Sequence, residues 1–306
     1  MNAEDFMGTP DAQLVAALDT PFAWPQSGLV PLPWFPFTVA ASAGAQAEAG
    51  NLARRTEQAY WYLRRLLRFT PRFRLLVLSR EDWPRFAEVA AYGIPHFTAA
   101  AHLVVGSEPA DAWNDVSREL ASHLPSTALR SVCNVHGAHP VHRDAPDLRA
   151  LADALMAHEL ARVIADQARA AFALPWLKDA FANYALVAVL GETDPAALHR
   201  LGTLAEATRE LASITAHPSK LAARPKPSPF EAVLVQLALT RAAYVRTRKS
   251  AAPRLRAGST WHASPDRRAE AILHVCCRTT CIPRSARSPS HGTARSRKRH
   301  NAETMN

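Results

Sequence analysis

Glycine, cysteine and long apolar stretches are all scarce in this sequence, and each scarcity excludes a class of protein. The chain of 306 residues has 11 Gly, and neither GxGxxG nor GxxxxGK[ST] occurs, so a glycine-rich phosphate cradle is not expected. No apolar run approaches the ~18 residues that would span a bilayer. Residues 1–9 lack the basic and apolar regions of a secretory signal. We therefore expect a protein without a membrane partner.

Cysteine usage indicates the compartment. Of the 4 Cys, only Cys133 lies in the body of the chain, and Cys276, Cys277 and Cys281 lie close together near the C-terminus. Such a distribution is not a disulfide framework, which fits a reducing environment. The sequence predicts a cytoplasmic protein.

The net excess of positive charge lies entirely in the last fifth of the chain. Residues 246–306 hold 14 Lys and Arg against three acidic residues, whereas residues 1–245 hold 22 basic and 24 acidic residues. The last fifth also has few aliphatic residues, so it buries too little apolar surface to fold, and we predict a disordered basic tail. Its abrupt start suggests a frameshift-derived or otherwise non-native segment. Nucleic-acid binding would depend on this tail alone, and we do not expect it of the body.

The rest of the chain predicts a helix-rich α+β domain over residues 31–245, after an extended lead-in over residues 1–30. Periodicity and turn signals predict the elements. The run Pro31 to Phe37 contains three prolines and predicts an extended strap that lays Trp34, Phe35 and Phe37 on the core. Helices are predicted over 11–18, 45–69, 111–120, 147–172, 176–190, 195–216 and 229–245, and strands over 72–78 and 101–105. Residues 82–84 predict a short helix or turn, residues 125–146 an irregular stretch, and residues 217–228 a connector.

The stretch His158-Glu159-Leu160-Ala161-Arg162 carries the most specific chemical signal. A His–Glu pair on a helix is the start of HExxH, in which two His one turn apart bind zinc and the Glu takes a proton from the metal-bound water. Residues 176–184, Trp-Leu-Lys-Asp-Ala-Phe-Ala-Asn-Tyr, follow at the spacing of a second helix. Together these segments resemble the gluzincin zinc metallopeptidases, whose pattern is HELxH followed by WLxExFAxY. The resemblance covers about residues 151–192 and extends more weakly to residues 75–105.

The resemblance implies a role for individual residues. His158 matches the first zinc ligand, Glu159 the general base and Asp179 the position of the third ligand, a Glu in the family. Tyr184, or a His from residues 136–142, is the candidate that assists the oxyanion. The resemblance also implies a small sheet packed on the helix that carries His158.

Arg162 departs from the pattern, because it stands where the second His ligand is expected. Arginine has no lone pair to donate and is always charged. At ~4 Å and an effective dielectric constant of ~20, its charge would oppose a dication by roughly 8 kcal/mol. We expect zinc binding to be weak or absent, and an Arg162–Asp179 ion pair to bridge the two helices instead, with Glu159 or His158 as a secondary partner.

The sequence therefore predicts a degenerate gluzincin-like metallopeptidase homologue whose peptide hydrolysis is lost or weakened. A peptide or protein would be its substrate. The alternative is a non-catalytic peptide-binding or scaffold protein on the same fold, and a structural helix pair with core aromatics remains open as well.

Two other groups of residues have metal-compatible chemistry. His136, His139 and His142 recur beside Cys133 and Asp144, although Gly137 and Pro140 argue against a single helix that presents them. In the tail, His274 lies near the three clustered cysteines, and residues 295–300 (RSRKRH) are strongly basic. The first group is read as a solvated or packed loop and the tail groups as parts of an unfolded segment.

Overall fold

The computed structural model describes residues 28–172, 174–211 and 229–255. The strands are β1 (Val30–Leu32), β2 (Thr38–Ala41), β3 (Arg74–Leu78), β4 (His96–Phe97) and β5 (His102–Gly106). The helices are α1 (Gln46–Leu67), α2 (Trp83–Phe86), α3 (Asp111–His123), α4 (Ser126–His136), α5 (Leu151–Gln167), α6 (Pro175–Thr193), α7 (Pro195–Ala207) and α8 (Pro229–Leu255). The predicted helix-rich α+β class is confirmed.

One mixed sheet of five strands has the order β1-β2-β3-β5-β4. The three inner strands, β2, β3 and β5, run parallel, and β1 and β4 pair antiparallel at the two edges. All five residues of β3 are buried, as expected for a parallel strand covered on both faces. The predicted strands at 72–78 and 101–105 correspond to β3 and β5, and the sequence did not predict that β1, β2 and β4 complete the sheet.

Helices cover one face of the sheet and form the main core. α5 contacts α1, α6 and strands β4 and β5, and its contact with α6 is the most extensive between any two elements of the described residues. The predictions that the sheet packs on the helix of His158, and that this helix packs on that of Trp176, are confirmed. A smaller cluster, including Trp83 of α2 and Leu76 of β3, fills the opposite face.

The proline-containing strap was predicted only in part. Its first residues form strand β1, and Phe37 is buried against Tyr60 and Phe73. Trp34, however, is 93% exposed, so its predicted place on the core is wrong. Its backbone has φ 81°, a left-handed turn conformation between β1 and β2, and this turn carries the side chain away from the core.

The predicted irregular stretch over residues 125–146 is also wrong, because it contains helix α4 (Ser126–His136). Pro125 directly precedes the helix and Gly137 follows it with φ 83°, and no proline lies between them. Leu129 and Val132, one turn apart, face the core. The prolines that suggested an irregular stretch thus flank the helix, where they are tolerated.

Several helix boundaries differ from the predicted ones. α5 begins at Leu151 instead of Asp147, whose carboxylate accepts a hydrogen bond from the Arg149 amide in the preceding turn. It ends at Gln167, shortly before Arg169 takes a positive φ of 51°. The regular part of α7 ends at Ala207 instead of 216, and the described residues stop at 211.

α8 continues to Leu255, ten residues past the end predicted at Val245. The predicted lead-in helix at 11–18, the connector at 217–228, and the tail from residue 256 onward lie outside the described residues. No helix in the described part of the chain is long and apolar enough to cross a membrane.

Candidate functional site

α5 places the His–Glu pair in the interior of the protein. The helix is apolar on most of its faces and lies among the sheet, α1 and α6, so residues on nearly every side of it are buried. His158 is 3% exposed and the side chain of Glu159 is 10% exposed. Buried polar groups of this kind need partners, and the structure supplies them through a short chain of contacts.

Four side chains form this chain of contacts, which we call the His–Glu–Arg–Asp cluster: His158, Glu159, Arg162 and Asp179. Nδ1 of His158 lies 3.0 Å from Oε1 of Glu159. The same oxygen is 3.3 Å from Nη1 of Arg162, and Nε of Arg162 is 3.6 Å from Oδ1 of Asp179. The guanidinium therefore lies between the two carboxylates and joins α5 to α6.

The predicted bridge between Arg162 and Asp179 is present, but the order of the two partners is reversed. Glu159, predicted as a secondary partner, makes the closer contact and is the more deeply buried carboxylate. The cause is local, because residues three apart on a helix are neighbours. Asp179 has to be reached across the gap between two helices.

The charges of the cluster reinforce one another. Burial by itself would raise the pKa of Glu159, but the hydrogen bond from His158 and the positive charge of Arg162 outweigh it and hold the pKa below its ordinary value. Burial would lower the pKa of Arg162, and the negative charges of Glu159 and Asp179 raise it instead. Glu159 is thus ionised, and Arg162 stays charged beside it.

This set of donors does not suit a zinc ion. Both carboxylates are paired with the guanidinium of Arg162, whose fixed positive charge lies beside them and would repel a dication. A group of three or more His, Cys, Asp or Glu side chains arranged to hold a metal is not found within residues 28–172, 174–211 and 229–255. His158 keeps a ring nitrogen, Nε2, that makes no hydrogen bond.

A cavity of about 280 Å³ opens beside the cluster. Helices α3, α5, α6, α7 and α8 and the segment leading into β4 form its walls. Most of the lining is apolar, and its polar members are His96, Trp113, His158, Glu159, Arg162, Asn183, Gln236 and Thr240. A small, mostly apolar cavity with a few polar groups is typical of a ligand site.

One wall of the cavity is held by a hydrogen-bonded link between α6 and α8. Asn183, which is buried, donates from Nδ2 to Oε1 of Gln236 at 2.6 Å and to the carbonyl of Asp179 at 2.8 Å. Its Oδ1 accepts from the hydroxyl of Thr240 at 2.6 Å. Asn183, which lies between Ala182 and Tyr184 in the sequence motif, thus ties α8 to the site.

The predicted role of Tyr184 in assisting an oxyanion stays a prediction. Its side chain is buried in the main core, and it is not among the residues that line the cavity. A helix turns by about 100° per residue, so Tyr184 points away from the face that carries Asn183. Its predicted assistance to an oxyanion gains no support from this position.

Trp113, Gln236 and Thr240 are cavity residues that the sequence did not single out. They lie on α3 and α8, far in sequence from the His–Glu pair, and no motif links them to it. The indole of Trp113 is buried without a hydrogen-bond partner among the described residues, and this follows from the packing of the helices and not from the sequence.

The histidine group around residue 139 is structural. Nε2 of His139 donates to Oδ1 of Asn114 at 2.7 Å, and its Nδ1 accepts from the amides of Val141 and His142. Nε2 of His136 donates to the carbonyl of Arg200 at 3.0 Å. Both ring nitrogens of His139 and Nε2 of His136 thus serve contacts within the protein, whereas Nδ1 of His136 is buried without a hydrogen-bond partner among the described residues.

Comparison of the chain with models of known families, with curated proteins and with solved structures gave no match. The resemblance to gluzincins therefore rests on the sequence segments at 158–162 and 176–184 alone.

Proposed function

We propose that this protein is a degenerate gluzincin-like metallopeptidase homologue that binds its ligand without hydrolysing it. An ion pair stands where the family holds zinc. The observation that carries the proposal is the position of the Arg162 guanidinium, 3.3 Å from Glu159 and 3.6 Å from Asp179. The cavity beside the cluster is the binding site, and the resemblance implies a peptide or protein as the ligand.

Loss of hydrolysis follows from what Arg162 does to Glu159. A general base works best when its pKa lies near the operating pH, and Arg162 and His158 hold the pKa of Glu159 below its usual range. Both carboxylate oxygens also lie within 3.5 Å of the guanidinium. Each oxygen thus already interacts with a cation, which makes Glu159 a weaker base toward a water molecule.

The alternative, a weakly active hydrolase, would need a group that polarises the peptide carbonyl. Arg162 is the cation nearest to Glu159, and it is held by two carboxylates, so little of its charge is left for a substrate oxygen. The mostly apolar lining of the cavity favours binding over chemistry. A metal-independent binding protein is therefore the favoured function.

A pair of substitutions tests the relation to gluzincins. Arg162→His restores the second ligand, and Arg162→His with Asp179→Glu restores the full family pattern. We expect the single variant to gain measurable zinc affinity in titration calorimetry and the double variant to bind more tightly.

Arg209→His is the matched control, because Arg209 is also paired three residues from a glutamate, Glu206, but at an exposed position. It should bind no zinc one-to-one. If neither Arg162 variant binds zinc, the site does not have gluzincin geometry and the proposed relation is wrong.

A further inference from the structure

Three large apolar side chains protrude into solvent at one end of the molecule. Trp34 is 93% exposed, Leu174 49% and Trp61 46%, and Val141 is the fourth large apolar side chain exposed among the described residues. Single exposed apolar residues are common, whereas a group of them rimmed by charged side chains marks an interaction site. The positions of these residues therefore decide whether they form one surface.

The fold brings Trp61 to the end of the sheet where strand β3 begins. Near the start of α5, Asp153 pairs with Arg55 of α1, and at the end of α5 the side chain of Gln167 accepts a hydrogen bond from the Arg72 amide, shortly before β3. Helices α1 and α5 therefore run side by side in the same direction and end together. Trp61 lies in the last two turns of α1, so it belongs to this end.

Leu174 lies at the same end, because α6 starts where α5 stops. Lys178 in the first turn of α6 pairs with Asp166 in the last turn of α5. Leu174 directly precedes α6, so its exposed side chain stands beside the ends of α1 and α5.

Trp34 reaches this end through a turn that holds it in a costly conformation. The turn joins β1 to β2, and Phe37 at its end packs against Tyr60 of α1, with ring centroids 5.7 Å apart. Trp34 itself has φ 81°, which is rare for a bulky residue and destabilising. A strained turn that keeps an indole in solvent indicates a role for that indole outside the core.

Basic side chains surround the three apolar ones. Five exposed arginines and one lysine lie at this end: Arg64, Arg65, Arg68, Arg72, Arg169 and Lys178. Contacts place three acidic side chains there: Glu57, Glu88 and Asp166. Six basic against three acidic side chains leave an excess of three positive charges, although residues 1–245 as a whole hold two more acidic than basic residues. Positive charge is thus concentrated around the exposed apolar side chains.

We propose that this basic–aromatic end, formed by Trp34, Trp61, Leu174 and the five arginines, docks on the surface of a bilayer that contains anionic lipids. The indole and leucine side chains enter the headgroup region, where tryptophan is favoured, and the arginines pair with anionic headgroups. Docking at a surface needs no spanning segment, so the scarcity of long apolar runs, from which we expected no membrane partner, does not bear on it. The surface is separate from the cavity and does not depend on the proposed function.

Two other partners fit this surface less well. A single-stranded nucleic acid is held by bases that stack on open aromatic faces, but the Arg64 guanidinium covers the ring of Trp61 at 5.1 Å and Leu174 has no ring. A second copy of the chain would bring together two surfaces with the same positive excess, which repel each other. An anionic bilayer complements both the charge and the apolar side chains.

Flotation of the full chain with lipid vesicles tests the proposal. Vesicles of phosphatidylcholine with about one third phosphatidylserine are compared with vesicles of phosphatidylcholine alone. We expect binding to the first kind that weakens with added salt, and binding to the second that is at least about tenfold weaker. Residues 246–306 are strongly basic and would give the same preference by themselves, so variants of the full chain have to separate the two sources.

Two variants at exposed positions make that separation. Trp34→Ala should weaken binding to the anionic vesicles about tenfold and Arg65→Gln about fivefold. The matched controls are Val141→Ala, at a side chain that is 75% exposed, and Arg80→Gln, whose guanidinium lies over a tyrosine ring as that of Arg65 does. Arg80 follows the other end of β3. Both controls should bind as the wild type does.

Several results would overturn the proposal. Absence of vesicle binding, or binding that Trp34→Ala and Arg65→Gln leave unchanged, would show that the basic–aromatic end does not dock on lipid. Equal losses in the two controls would remove the assignment to this end. An oligothymidine that the same two variants bind more weakly, with vesicle binding unchanged, would assign the surface to nucleic acid. A dimer in lipid-free buffer that Trp34→Ala dissociates would assign it to a second copy.

Discussion

At the scale of single residues, the proposed relation to gluzincins depends on Arg162. It is a fixed cation at the position where the family pattern has a His, and the carboxylates of Glu159 and Asp179 are its counter-ions. The sequence was sufficient to predict that these residues meet, because helix periodicity places His158 and Arg162 about 40° apart on one face. It did not predict that Glu159 is the closer partner, since the spacing of two packed helices is a property of the assembled core.

Removing Arg162 should destabilise the protein, because it leaves Glu159 buried without a counter-ion. The Arg162 side chain is 39% exposed, so we expect Arg162→Ala to lower the free energy of unfolding by about 2–3 kcal/mol, less than the roughly 3–5 kcal/mol for a fully buried pair. Urea unfolding measures it. Arg209→Ala, at the exposed pair with Glu206, should change stability by less than about 1 kcal/mol. Equal effects of the two substitutions would contradict a buried role for the pair.

The lowered pKa of Glu159 predicts a dependence of stability on pH. Its pKa is lower in the folded than in the unfolded state, so its contribution is fully present above the unfolded value, about 4.3, and is lost as the pH falls through the folded value. The difference in unfolding free energy between wild type and Glu159→Gln should therefore be largest near pH 7 and shrink below about pH 4. A difference that grows on acidification would reverse the sign we assign.

At the scale of elements, the sequence predicted the type of most helices but not their ends. Helices α5 and α6 were found because their apolar residues recur with helical period over many turns. α4 was missed because prolines and histidines on both sides masked eleven residues that contain no proline. The edge strands β1 and β4 have three and two residues, too few to show a period of two, and only pairing with the inner strands defines them.

The link from α6 to α8 gives a prediction at this scale. Asn183→Ala would leave Gln236 and Thr240 without their partner in a buried place, and we expect a loss of about 2–3 kcal/mol in unfolding free energy. Hydrogen exchange of α8 amides should rise with it, because α8 closes the cavity. Asn51→Ala, which removes an exposed asparagine on α1, is the control and should stay within about 0.5 kcal/mol. Unchanged exchange in α8 would mean that the link does not hold the helix.

At the scale of the whole molecule, composition alone separated a body of nearly balanced charge from a basic tail. The helix predicted to end at Val245 continues as α8 to Leu255. The sequence of α8 changes from mostly apolar to mostly basic residues at about residue 246. We predicted the end of the helix at this change of composition, but the helical backbone continues past it.

Removal of residues 256–306 should leave the melting temperature of the remainder nearly unchanged. This segment offers few aliphatic side chains for a shared core. Differential scanning calorimetry of the chain ending at Leu255, compared with the full chain, measures the effect. A drop of many degrees would show that the segment is part of the folded body and that the domain boundary is wrong.

The zinc content of the wild-type protein tests the central claim most directly. The full chain would be incubated with excess zinc, passed through a desalting column and measured by elemental analysis against the Arg162→His, Asp179→Glu double variant prepared in parallel. The ion pair between Arg162 and its two carboxylates predicts far less than one equivalent in the wild type and about one in the variant. One equivalent of zinc in the wild type, lost on substitution of His158, would contradict the account.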